Sequence, residues 1–345
     1  MSCHRFVPHA RFASAFDTDD WFYRITTLVQ MIGVIVLALG LPAMFHSLDV
    51  GTLFDNDIMV IGYVVMRVAM IAQWLRVASQ DPTHRRVALT YVAFVATAQA
   101  GWVGLLLLRE SPWWVFLPAA LVTVFLDAGG VVIAERRAGG TPWHPHHIAE
   151  RYGLLVIIAL GEVIFGMIAS VSAVIQAQGW SSEAILLIVA GLALTFGMWW
   201  VYFIMPSGAV LAVHRERSFG WGYSHLIIFA AIAATGAGLH VAAYVLEGEA
   251  HISAQAALLT VVIPEFVFLV ALFSTYSVLV RDLDAFHFLL VGAAIAALVA
   301  AVLLVGAGVG FGISLLVACL APTVVIVGFE TLGQRHQAAV LARMR

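Results

Sequence analysis

Four ionisable side chains, Arg67, Asp127, Glu162 and Glu265, stand in the middle of long apolar stretches. An ionisable group at the centre of a bilayer is costly, and such residues serve ion pathways, proton relays or counter-charges. Three carboxylates accompany one guanidinium. If Arg67 neutralises one acid, two remain, and desolvation drives an unpaired carboxyl to hold a proton or a cation. That is the chemistry of proton or cation coupling, with Glu162, Asp127 and Glu265 as proton or cation carriers and Arg67 as the counter-charge. Asp127 is the first choice of partner for Arg67 and Glu265 the second. The structural alternative is that the acids are neutral and hydrogen-bonded between helices, to glutamine or backbone. Contacts of that kind are worth about 0.6 kcal/mol each on average.

Glu162 is the sharpest case. It lies in the run HPHHIAERYGLLVIIALGEVIFGM, His144 to Met167, in which a polar, histidine-rich lead turns apolar. At about 1.5 Å per residue Glu162 is some 13 Å beyond Gly153, near the middle of a hydrocarbon core about 30 Å thick. Arg151 is eleven residues earlier and about 20° away around a helix, so the two share a face. That face continues through Gly166, Ala169, Ser170 and Ala173, a small-residue stripe suited to close helix packing or a narrow cavity. Glu265 follows Pro264, which cannot donate to the carbonyl of Thr260 and so frees an acceptor near a midplane acid. His240, Gln30 and Gln99 are further polar residues within apolar segments, and Pro322 repeats the proline device without an acid.

The group His144, His146, His147 and Glu150 has donor types suited to a transition metal, but a polar membrane interface with a helix cap accounts for it better. No metal and no cofactor is therefore expected. No G-x-S-x-G, P-loop or H-E-x-x-H pattern occurs, so an enzyme is not expected. The chain is 62% hydrophobic and 11% charged, against roughly a quarter charged in soluble domains. Its net charge of -3 offers no basic stripe for nucleic acid. Cys3 and Cys319 lie on different segments and do not suggest a disulfide. Membrane lipid and a proton or cation are the expected partners, and a homo-oligomer is open.

These residues need helices to position them. Ten apolar segments are long enough to span a bilayer, over about 25–45, 57–76, 87–108, 113–134, 153–175, 183–205, 221–246, 254–280, 286–305 and 311–330. The fold class is all-α, a polytopic transmembrane bundle of about ten helices, four plus six. The expected organisation is a cytoplasmic tail over 1–24, a first helical unit over 25–134, a cytoplasmic linker over 135–152, a second unit over 153–330 and a cytoplasmic tail over 331–345. A weak echo between VVIAERR in helix four and VVIVGFETLGQR in helix ten agrees with that division. All basic residues are arginine. Fifteen fall in alternate connections and the two tails, while the opposite loops hold only Arg109. That asymmetry puts both termini in the cytoplasm.

His147, Glu150, Arg151, Gly153 and Leu154, with IIALGE running through Gly161 to Glu162, resemble the signature of the bacterial low temperature requirement protein A family. The segment Met198–Phe203, MWWVYF, resembles that family's aromatic-rich stretch. The resemblance covers nearly the whole chain. It implies a multi-pass protein of the bacterial inner membrane with a link to growth in the cold, and no established substrate. It also implies two further helices, the first acidic, before the segment FDTDDWFYR (16–24), so that six plus six helices become four plus six here. Two functions follow as expectations: a proton- or cation-coupled transporter or channel, or a non-transporting protein that supports the envelope or a partner complex in the cold. A membrane metalloenzyme is the least favoured.

Overall fold

The computed structural model describes residues 12–16, 18, 20–52, 54–137, 139–247, 251–281 and 285–344, and Arg5, Arg11, Cys3 and Arg345 lie outside them. Among the described residues every regular element is helical, and ten helices are long and apolar enough to cross a membrane. Helices satisfy their own backbone hydrogen bonds, which a lipid environment requires. They are α1 (Trp21–Asp49), α2 (Asp57–Gln80), α3 (Arg85–Leu107), α4 (Trp113–Arg137), α5 (Pro145–Gln178), α6 (Ser182–Phe203), α7 (Ser218–Glu247), α8 (Ala254–Val280), α9 (Ala285–Gly306) and α10, which starts at Phe311.

The centres of these helices fall where hydropathy places them, and several ends do not. α5 begins at Pro145, eight residues before the expected limit of 153. Proline at a first helical position loses no bond and presets φ, so the histidine-rich lead from Pro145 onward forms the first two turns of α5. The connection between α6 and α7 contains a short helix, Ser207–Val213, and a 3-10 turn, Arg215–Arg217. The expected tail after residue 330 is helical too: α10 passes through a π-helical turn, Phe329–Gly333, and continues over Gln334–Met344.

The chain forms two compact units that divide between His144 and Pro145. In the first, α1 crosses α2 where Gly33 meets Gly62; a Cβ on Gly62 would stand 2.6 Å from the Gly33 carbonyl oxygen. Such backbone contact is the usual role of small residues in membrane helices. Trp74 stacks on Tyr91 at 4.1 Å, and Phe12 meets Trp74 edge-on at 5.0 Å. In the second unit α5 packs on α7 at Val163 and Gly236, and on α6 at Met167 and Gly191. α7 crosses α8 where Gly238 meets the Thr260 carbonyl and the Val261 nitrogen.

Candidate functional site

Arg67 on α2 is 1% exposed and pairs with Asp127 on α4, the carboxylate expected first, at 3.0 Å. The same guanidinium nitrogen donates to Tyr63 Oη at 2.6 Å, and Tyr63 donates in turn to Asp127. Trp102 Nε1 donates to Asp127 at 3.2 Å. A carboxylate with three donors, one of them a guanidinium, is fully compensated. Tyr63 precedes Arg67 by four residues, one helical turn, so an i,i+4 reading of α2 could have found it. Trp102 comes from α3, and no sequence spacing reports it.

The first unit holds a second polar layer. Gln30 donates to Gln73 at 2.9 Å, and Gln73 donates to Thr26 at 2.9 Å, joining α1 to α2. Gln99 is buried, and its amide atoms have no hydrogen-bond partner among the described residues.

Glu265 is different. It is fully buried in α8, and among the described residues neither carboxyl oxygen has a hydrogen-bond partner. Its surroundings are apolar: Val261, Phe268 and Leu258 on its own helix are themselves fully buried. Cys319 of α10 lies within electrostatic reach, but its thiol donates to the Ala190 and Leu315 carbonyls at 3.2 and 3.3 Å. The carbonyl freed by Pro264 does not turn to Glu265. It meets the bare Cα of Gly238, and α8 runs unbroken through the proline.

The two units share one pattern here. At the α1–α2 crossing Gly62 is followed five residues later by Arg67, and at the α7–α8 crossing Thr260 is followed five residues later by Glu265. Both side chains are buried. One of them has its counter-ion and the other has none among the described residues.

Glu162 is exposed, in a stripe of α5 that also exposes Leu154, Ile158 and Phe165. Gly161 and Gly166 beside it meet nothing within 4 Å. The close contacts of α5 are made by the neighbouring face, through Val163, Met167 and Ser170. Of the small-residue stripe, Ala169 and Ala173 are exposed while Ser170 packs on α7, and Glu162 itself stands on the exposed side. Arg151 is half-buried in the second turn of α5. Each acid has its own setting: in the first unit Asp127 is committed to Arg67, and in the second Glu265 is enclosed while Glu162 lies on a surface.

His144, His146, His147 and Glu150 are all exposed and do not gather, and among the described residues no three His, Cys, Asp or Glu side chains are placed to hold a metal. Two histidines of α7 carry defined bonds, His240, already notable as a polar residue in an apolar segment, and His225, which hydropathy does not mark. His240 bridges Ser170 on α5 and Tyr244 on its own helix, the latter at 3.0 Å. His225, fully buried, bonds the Trp221 carbonyl at 2.7 Å and the Tyr202 hydroxyl at 2.9 Å.

No curated protein and no solved structure is similar enough to this chain to count as a match. A family model does match, that of the bacterial low temperature requirement A protein, over residues 5–322. That span includes the His147–Glu162 motif, the aromatic segment of α6 and every buried ionisable residue described above, so this multi-pass helical membrane protein belongs to the low temperature requirement A family.

Proposed function

We propose that the chain is a proton- or cation-coupled transporter or channel of the bacterial inner membrane, with Glu265 as its principal carrier. The observation that carries this reading is the complete burial of Glu265 with both oxygens unbonded among the described residues. An ionised carboxylate buried without a partner costs several kcal/mol, so Glu265 holds a proton or a cation. A purely structural role for the acids would have each of them paired, as Asp127 is. Glu162 serves as a second acidic group in this reading, and the Arg67–Asp127 pair is a fixed anchor. Exchange at an enclosed group requires a second conformation that opens it, with the ligand shifting the balance between the two. The excess of arginine in alternate connections orients the protein with both termini in the cytoplasm.

The test is Glu265→Gln in vesicles loaded with a pH-sensitive dye. The amide has nearly the same shape but cannot exchange a proton, so the variant should fold and lose pH-coupled flux. Flux equal to that of the parent protein would remove Glu265 from the mechanism. A reporter fused after Arg345 should be active on the cytoplasmic side.

A further inference from the structure

A groove between α6 and the π-helical turn of α10 contains an aromatic wall beside a carboxylate. Trp199, Trp200 and Phe203 are 41%, 46% and 44% exposed. Facing them are Glu330, Gln334 and Gln337, and the groove holds about 490 Å³. Trp200 Nε1 donates to one Glu330 oxygen at 3.2 Å, and Gln334 donates to the other. Gln337 donates to the Ile204 carbonyl at 3.0 Å, tying the two walls together. Glu330 is exposed and among the described residues has no ion pair.

Three features point to a ligand. Tryptophans that merely mark a bilayer boundary direct their N–H to water or lipid, whereas Trp200 turns its N–H to a protein carboxylate and fixes its ring beside the negative charge. Two neutral donors hold Glu330 in place but leave its charge uncompensated, and a carboxylate beside exposed indole rings is the complement of an ammonium group. The π-helical turn adds a residue to α10 at this point; such turns are rare and recur at functional sites. The groove also continues an exposed apolar stripe on α6, through Ile185, Val189 and Phe196 to Phe203, at one face of the helix.

We infer that this groove is a headgroup site for a membrane phospholipid bearing a free ammonium group, with an acyl chain along the α6 stripe. The ammonium sits between Glu330 and the Trp199 and Trp200 rings. A lipid, and not a soluble amine, is the occupant because the groove opens along the apolar stripe of a spanning helix. The inference does not depend on the transport reading.

The test uses the full purified chain, stripped of lipid in detergent and offered equal amounts of phosphatidylethanolamine and phosphatidylglycerol with identical acyl chains. Retained lipid is counted by native mass spectrometry. An exposed cation–π contact together with an exposed ion pair amounts to a preference of about fivefold for the ethanolamine lipid. Glu330→Gln should bring the ratio to about one, and Glu330→Arg should invert it, by the same reasoning. Trp199→Leu leaves the charge and should reduce the preference without abolishing it. Equal retention by the parent protein, or a preference that survives Glu330→Gln, would overturn the inference. Displacement of the lipid by an equal concentration of free ethanolamine would overturn the lipid as the occupant.

Discussion

Removing either member of the Arg67–Asp127 pair should cost very different amounts. Both side chains are 1% exposed, so a charge left alone there has no water to screen it. Breaking a buried pair costs roughly 3–5 kcal/mol, against about 0.6 kcal/mol for an average hydrogen bond between membrane helices. Asp127→Asn leaves a guanidinium that cannot give up its charge, and the full 3–5 kcal/mol is expected. Arg67→Met leaves a carboxyl that can take up a proton while Tyr63 and Trp102 remain beside it, so about 1–2 kcal/mol is expected. The double variant carries no buried charge at this position and should lie within about 1 kcal/mol of the parent protein. The coupling between the two substitutions is then about 3–7 kcal/mol. Unfolding of the purified protein by SDS titration in mixed micelles, followed by tryptophan fluorescence, gives all four corners of the cycle. Additive losses, or a greater loss for Arg67→Met than for Asp127→Asn, would refute the reasoning.

Glu162→Leu should leave the unfolding midpoint unchanged within about 0.5 kcal/mol, because the side chain lies on the exposed stripe; a loss of 2 kcal/mol or more in the same titration would mean that Glu162 packs against another segment. Gly62→Ala should cost about 1–3 kcal/mol, since its methyl group would press on the α1 backbone, while Gly161→Ala, with nothing within 4 Å, should be tolerated. Asp20 caps α1 through Tyr23 and pairs with Arg76, and the hydrogen bonds from Arg76 hold its carboxyl well below the ordinary value of 3.8. A depressed folded-state value means stability that is present above the unfolded value and lost as pH falls through the folded one. Asp20→Asn should therefore lower the thermal midpoint at neutral pH, and the gap to the parent protein should close as pH falls below about 3.8. A gap that stays constant down to the acid limit would show that the pair contributes nothing.

The sequence by itself determined the class of the protein. Ten apolar runs of spanning length can only be helices in lipid, because no other open structure satisfies its own backbone there. It also determined that Arg67 needs an acid, since a guanidinium cannot shed its charge. The motif from His147 to Glu162 and the segment Met198–Phe203 carried the family. Helix ends were less legible: Pro145 starts α5 inside a polar stretch, and the π-helical turn carries α10 past its apolar run, and hydropathy reports neither.

Which way each helix turns was decided only by the tertiary structure. In a soluble helix the polar face marks the outside, but a membrane helix is apolar all round, and its sequence gives little sign of which face is packed. Glu162 and Glu265 look alike on the page, each a lone acid amid apolar neighbours. α5 turns Val163 and Met167 inward and leaves Glu162 exposed, while α8 crosses α7 at Gly238 and encloses Glu265. The pairing of Arg67 with Asp127, completed by Trp102 from a third helix, depends in the same way on how α2, α3 and α4 rotate against one another. Residue types gave the chemistry that each acid could perform. The packed faces, set by where glycine lets two backbones meet, decided which acid is neutralised, which is enclosed and which is left at the surface.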